Sequence, residues 1–318
     1  VRSILEQRPA PTELVVGDDE STDGTIAIVE RVYAESLLAM PELPTRLSVI
    51  RRSSPLGVTA NFAATIAACE GELIALSDQD DVWVPGKLAL LAAAFAADAS
   101  LLLVHTDAHL IDAGGRPLGV TLFEALEATP WERTGLSLGD ALPVLLRRNL
   151  VTGATVMFRR RLLDSALPIP PQWVHDEWLA AIAALVGGVK LLPVALIKYR
   201  QHDSNQIGAR KPTLADKLKR LRVPQSERAP RLAERAALLA ERGRALGVSA
   251  KIQAALDAKA DHELRRGGMQ RIRFNRVPAV AAGVLAGRYA RYSRGSIDAL
   301  RDLLAPADWR DQGSRGRR

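Results

Sequence analysis

The sequence carries one cysteine in 318 residues, which excludes an internal disulfide and suits a reducing compartment. That residue, Cys69, ends NFAATIAAC on an apolar helical face and reads as packing. Long apolar runs are also missing. No stretch reaches the roughly 18 uninterrupted apolar residues of a membrane span, and VPAVAAGVLAG near the end is too short. No basic-then-apolar leader precedes the first helix. The chain opens on Val1 rather than methionine, and its true beginning is expected upstream. With 47% hydrophobic and 25% charged residues, the composition excludes wholesale disorder.

Charge of one sign is missing from neither end, but it is unevenly shared. Residues 1–210 hold 18 Lys and Arg against 25 Asp and Glu, whereas 211–318 hold 25 against 11. The formal +7 therefore conceals an acidic part and a strongly basic one. A uniform nucleic-acid binder does not have this profile, and no nucleic-acid partner is expected. The basic part suits an anionic surface instead.

Within 1–210, apolar runs alternate with helical patterns: TELVVGDD and TIAIVERVYAESLL, RLSVIRR and VTANFAATIAAC, LIALSD and PGKLALLAAAFAA, then SLLLVHTDAHLID. This βα spacing predicts an α/β domain with a largely parallel sheet. A helix at 138–148, a strand ATVMFRR, a helix near HDEW and a strand KLLPVALIKYR complete it. Residues 211–318 form a second, helical and Arg-rich region, interrupted at Pro224, Pro230, Gly243, Gly247 and Gly267.

Ligands of open α/β sheets bind beyond the carboxyl ends of the strands. Two acidic clusters fall there: Asp18 and Asp19 after LVVG, and Asp78, Asp80 and Asp81 after LIALS. Neither is followed by a phosphate-cradling glycine loop, so diphosphate binding there requires a cation bridge. The Asp-x-Asp spacing supplies hard oxygen ligands for Mg²⁺ or Mn²⁺. Turn formation and helix capping account for either cluster taken singly. Packing gains nothing from gathering two sets of carboxylates on neighbouring strands.

Five stretches in order, ELVVGDDESTDGT, GVTANFA, LIALSDQDDVWVPGKL, NLVTGATVMFRRRLL and WVHDEW with IKYRQHDSNQIGA, resemble glycosyltransferase family 2. These are inverting sugar-nucleotide enzymes of GT-A fold, and the likeness is greatest to their rhamnosyltransferase-like branch. The resemblance implies a GT-A Rossmann-like, mostly parallel sheet flanked by helices over residues 1–210. It implies that Asp18 and Asp19 contact the base and ribose of the donor, with Asn61 supporting that pocket. Asp78 and Asp80 form the metal-binding Asp-x-Asp, Asp78 also facing the donor, and His202 adds to the metal or diphosphate site. Asp176 matches the general base, and the backbone at Gly153 approaches a sugar closely. Trp83, Asp107 and Glu177 are weaker candidates for the acceptor or sugar pocket. A wedge under the following helix for Trp83, and packing for His105 and Asp107, explain those residues as well.

The implied reaction moves a sugar, with dTDP-rhamnose as favoured donor, onto a glycan or lipid-linked acceptor for cell-surface polysaccharide. It would run in the cytoplasm, with the basic tail against the inner face of an anionic membrane. Three departures stand out. Glu20 replaces the glycine usual after the paired aspartates, Glu177 replaces a tryptophan of the branch, and the strand that normally opens the family's domain is absent. That strand is an inner one, so a vacant sheet position with unpaired backbone, and an N-terminally truncated domain, are expected. A donor-binding but inactive homologue is one alternative. A haloacid-dehalogenase-like phosphatase also sets Asp-x-Asp at a strand end, but leaves the second acidic cluster and HDEW unexplained. A nucleic-acid-binding tail is the non-enzymatic alternative.

Overall fold

A computed structural model describes residues 1–201, 225–269 and 273–304. The chain divides into two compact units, one of residues 1–141 and 150–211, the other of 142–149 and 212–318. A short segment from the middle of the chain goes with the second unit.

The first unit opens with a short helix α1 (Arg2–Leu5), followed by β1 (Glu13–Asp18), α2 (Thr25–Ala39), β2 (Arg46–Arg51) and α3 (Val58–Ala67). Next come β3 (Leu73–Ala75), β4 (Val82–Trp83), α4 (Lys87–Ala97), β5 (Leu101–Ile111) and β6 (Pro117–Thr121). Helices α5 (Leu122–Ala125) and α6 (Pro130–Leu138) each start on a capping box, Thr121 with Glu124 and Thr129 with Glu132. Helix α7 (Ala141–Arg147) belongs almost wholly to the second unit. A 3₁₀ turn (Gly153–Thr155), β7 (Met157–Arg159), α8 (Leu163–Ala166), α9 (His175–Val186) and β8 (Gly188–Arg200) finish the first unit.

The α/β architecture with helices flanking the sheet is as expected, but strand directions are mixed. Among the described residues β1–β2 and β5–β8 are parallel, while β3–β7, β5–β7, β4–β8 and β5–β6 are antiparallel. The main sheet runs β3-β7-β5-β8-β4, and β1-β2 form a separate pair. Strand β5 is nearly continuous in burial because both its edges are paired and both faces covered. The helix predicted at 138–148 is α7, which starts at Ala141 because the preceding α6 ends at Leu138 on Gly139, whose φ of 86° is left-handed.

No ladder joins β1 to β3 among the described residues. The two are tied at one end by Glu13, whose Oε1 accepts the N–H groups of Glu70 and Gly71 at 2.7 and 2.8 Å. Leu14 of β1 and Ala75 of β3 pack on one core of Ile4, Trp83, Leu110, Leu122 and Ile197. Burying such side chains contributes about 1.5–3 kcal/mol each. A second core of Leu91, Phe95, Leu101, Val104 and Met157 fixes α4 on the sheet.

The second unit contains α10 (Gln225–Ala245), α11 (Ala250–Gly267), α12 (Val277–Leu285), α13 (Arg288–Tyr292) and α14 (Ser296–Leu304). Helix α10 continues through Pro230, expected to be a break. No helix among the described residues is long and apolar enough to cross a membrane.

Candidate active site

The end of β1 is held against α3 by close contact. A Cβ at Gly17 would stand 1.9 Å from the Thr65 hydroxyl, so only glycine fits. Asn61 Nδ2 donates to Gly17 O at 2.9 Å, supporting the strand end from behind. Asp18 is buried, and its Oδ1 accepts the Ser21 N–H at 3.3 Å. Asp19 uses both oxygens on backbone, taking the N–H of Leu56 at 2.7 Å and of Gly57 at 2.8 Å. It thereby fixes the loop before α3. Glu20 has φ 70°, so the left-handed backbone that favours glycine is present without the glycine.

Beyond β3 the chain turns through Asp78, Asp80 and Asp81 before pairing β4 to β8. Burial, then the charges of Asp80 and Asp176, push the Asp78 carboxyl up to about 6. Burial, followed by Asp78 and Asp80, likewise pushes Asp81 up to about 7 against the Arg200 N–H. That N–H reaches Asp81 Oδ1 at 2.9 Å, and Arg200 Nε donates to Asp80 O at 2.8 Å, so the end of β8 shapes the loop. Tyr199, next to it, is kept protonated first by burial and then by Asp78, Asp81, Asp80 and Asp176. These shifts bring the strand-end acids and Asp176 together as one electrostatic cluster.

Asp176 lies in the first turn of α9, the positive end of the helix. Its Oδ2 accepts the Gly153 N–H at 2.8 Å and its Oδ1 the Glu177 N–H at 2.7 Å. A Cβ on Gly153 would stand 3.4 Å from Asp176 Oδ2 and 3.2 Å from His175 Nε2. The close backbone approach at Gly153 is therefore made to Asp176. His175 stacks on Phe62 with centroids 3.9 Å apart and planes 9° from parallel, and burial lowers its pKa.

Trp83 is buried, forming the wedge beneath α4. His105 and Asp107 lie within β5 rather than at its end. His105 is fully buried, and Asp107 Oδ1 accepts the N–H of Ala108 at 2.8 Å and of Phe123 at 3.0 Å, fixing the start of α5. His202 lies outside the described residues. The sequence reading missed Lys87, Tyr199 and Arg200. A lysine in the apolar pattern of PGKLALL was the available signal for the first, while nothing local marks the others.

Among the described residues no three His, Cys, Asp or Glu side chains assemble a full ligand set. Asp78 and Asp80 nonetheless fit a hard divalent cation, which commonly takes one or two carboxylates and completes its shell with phosphate oxygens and water. The Asp78 carboxyl, raised by burial and then by the charges of Asp80 and Asp176, is in the electrostatic condition a cation relieves.

A mixed sheet between helices, with carboxylates gathered beyond its strand ends, defines the GT-A class of glycosyltransferase folds. Residues 1–165 match the model of glycosyl transferase family 2, and the chain belongs to that family. An uncharacterized protein of Mycobacterium tuberculosis is 28% identical over 195 residues, 60% of this chain and 51% of that protein. The chain thus spans about half the length of this relative. The dTDP-rhamnosyl transferase RfbG of Shigella flexneri is 24% identical over 222 residues, 66% of this chain and 69% of RfbG. Among solved structures, residues 1–349 of S. aureus TarS in complex with UDP-GlcNAc align with a TM-score of 0.54 at 18% identity, over 95% of this chain and 84% of that portion of TarS. Family membership removes the phosphatase alternative.

Proposed function

We propose that the protein is an inverting glycosyltransferase that moves a sugar from a nucleoside-diphosphate donor to a hydroxyl of a glycan or lipid-linked acceptor. The observation that carries this reading is the convergence of Asp78, Asp80 and Asp81, beyond β3, with Asp176, at the start of α9. Those are the two groups of acids that such a reaction separates into donor and acceptor duties. RfbG supports dTDP-rhamnose as the first donor to test.

In this mechanism Asp18 and Asn61 shape the nucleotide end, Asn61 through its bond to Gly17 O. Asp80 with Asp78 would hold Mg²⁺ or Mn²⁺, which when bound would supply neutralising charge for the diphosphate. Asp176 accepts the acceptor's hydroxyl proton as the oxygen bonds to the anomeric carbon. The bond from that carbon to the diphosphate oxygen breaks on the opposite face, and the electron pair leaves with the nucleoside diphosphate. The Gly153 and Glu177 N–H groups hold the carboxylate in one orientation, removing a rotational freedom from the step. The exposed apolar side chains of the second unit, Val284 and Leu285 among them, and its basic charge suit contact with an anionic bilayer, where lipid-linked acceptors reside.

A thermal-shift screen of the whole protein against dTDP, UDP and GDP and their sugars, with and without Mn²⁺, tests the donor. At a hundredfold excess over Kd, a true ligand stabilises by about 2.7 kcal/mol. Mn²⁺-dependent stabilisation by one nucleotide is the expected result. No shift with any of the three overturns the donor-binding reading, and a shift without product formation selects the inactive homologue.

A further inference from the structure

Lys87 has no place in the mechanism above, yet it is the most unusually situated cation of the first unit. Its side chain is completely buried although it stands at the first residue of α4. Both facts disfavour a positive charge: burial removes its hydration, and a helix N-terminus repels cations. A methionine of similar length would fill the same volume without either penalty. The charge must therefore be compensated locally. Nζ donates to Ala154 O at 2.7 Å and lies 4.0 Å from the centroid of the Trp83 ring. Burial pushes the amine down to about 7, and Asp81 and then Asp78 act against that fall.

The Ala154 carbonyl belongs to the 3₁₀ turn whose Gly153 N–H grips Asp176. That turn is internally locked, since Thr155 Oγ1 and Thr155 N–H both bond to Thr152 O, at 2.7 and 2.9 Å. One side chain thus stands in the field of the acids beyond β3 and, one residue along a rigid turn from Gly153, anchors the peptide that orients the acid of α9. We propose that Lys87 is a positioning residue of the transfer site, the interior countercharge of Asp78 and Asp81 that also fixes Asp176 through Ala154 and Gly153. This rests on the transferase reading of those acids. It makes Lys87 a competitor of the divalent cation for the same negative field and a support for the proton acceptor.

The two roles move two measurements in opposite directions when the charge is removed. In Lys87→Met, Mn²⁺ bound in the presence of dTDP, read from the free-Mn²⁺ electron paramagnetic resonance signal, should tighten by about tenfold or more, because the field it enters has lost one positive charge. Hydrolysis of dTDP-rhamnose, with water in place of the acceptor, should fall by about tenfold or more in kcat with little change in KM. Asp81→Asn should weaken Mn²⁺ by a similar factor. The charge-balanced pair Asp81→Asn with Lys87→Met should return it near wild type. If Lys87→Met alone does not fold, the comparison of Asp81→Asn with that pair still isolates the lysine. A purely structural lysine would lower the unfolding midpoint and leave Mn²⁺ affinity unchanged or weaker, and that result in either background overturns the proposal. Wild-type protein that binds neither Mn²⁺ nor dTDP overturns the transferase reading, and this proposal with it. Wild type that binds both while Lys87 variants leave Mn²⁺ affinity unmoved overturns the role of Lys87 alone.

Discussion

The two units bury charge in opposite ways. In the second, Arg266 binds Asp302 with two bonds of 2.7 and 3.0 Å, Tyr289 donates to the same carboxylate at 2.7 Å, and Glu263 takes Lys259 and Arg266. Burial works to raise Glu263, but Lys259 and then Arg266 hold it below the usual carboxylate range. Asp298 is held low in the same way, by Arg266 and the Arg294 N–H against burial. In the first unit, Asp78 and Asp81 are pushed the other way, upward, with Lys87 as the buried ammonium nearby. Acids and bases matched within the fold serve the fold, whereas carboxylates crowded in excess of their cations mark a place where a ligand brings the missing charge. The sign of the shift, rather than the number of acids, separates the two.

The sharpest way to break this comparison is through turnover. Asp80→Ala should weaken Mn²⁺-dependent donor binding and lower turnover by on the order of a thousandfold, about 4 kcal/mol of transition-state stabilisation. Asp176→Asn should keep donor binding while kcat falls roughly a hundred- to ten-thousandfold. Glu177→Gln, at the next helical position, should cost little. An inactive Glu177→Gln beside an active Asp176→Asn would move the base to the other carboxylate.

Stability should respond with opposite signs in the two units. Asp302→Ala strands the buried Arg266 guanidinium and should destabilise by about 3–5 kcal/mol in denaturant unfolding. Asp81→Asn combined with Lys87→Met keeps an oxygen for the Arg200 N–H while removing a crowded acid together with its buried cation, and should stabilise by about 1 kcal/mol. Destabilisation by both would mean that the acids of the first unit are as fully compensated as those of the second.

Acid should separate the histidine of the sheet from the paired carboxylates. Burial lowers His105 to about 3, so below about 6.5 the unfolded chain takes up a proton that the folded chain does not. Its contribution is complete above that pH and is lost as pH falls toward 3, by at most about 1.4 kcal/mol per pH unit. Glu263 and Asp298, held low, lose their contribution only as pH falls below the unfolded carboxylate range, near 4. His105→Phe should therefore flatten the decline of the unfolding midpoint between pH 6.5 and 4.5, and an unchanged profile would remove His105 as its source. The smallest effect belongs to the nucleotide loop. Glu20→Gly relieves a positive φ and should stabilise by about 0.5–1 kcal/mol, net of the glycine's greater freedom in the unfolded chain.

Much of the candidate site was legible because it is local. An acidic pair after an apolar run, an Asp-x-Asp before a proline-opened helix, and acids at a helix start each follow from neighbours in sequence. The glycine missing after Asp19 was legible too, and the φ of Glu20 shows that the backbone geometry outlasted the residue that favours it. The contacts of those side chains were not legible. Asp19 turns to N–H groups 37 and 38 residues away, and Gly153 approaches Asp176 from 23 residues away.

The sequence by itself determined the alternation of strands and helices, the division into an acidic and a basic region, and which carboxylates stand at strand ends. Periodicity, composition and turn chemistry act over a few residues and need no partner to be read. Only the tertiary structure decided that β7 and β4 run antiparallel to their neighbours, that His105 is sealed inside β5, and that Lys87 lies between Trp83, Ala154 and two aspartates. Pairing direction and the fate of a buried charge depend on residues 53 to 116 positions apart, and they are settled only when the chain brings those positions within hydrogen-bonding and Coulombic range.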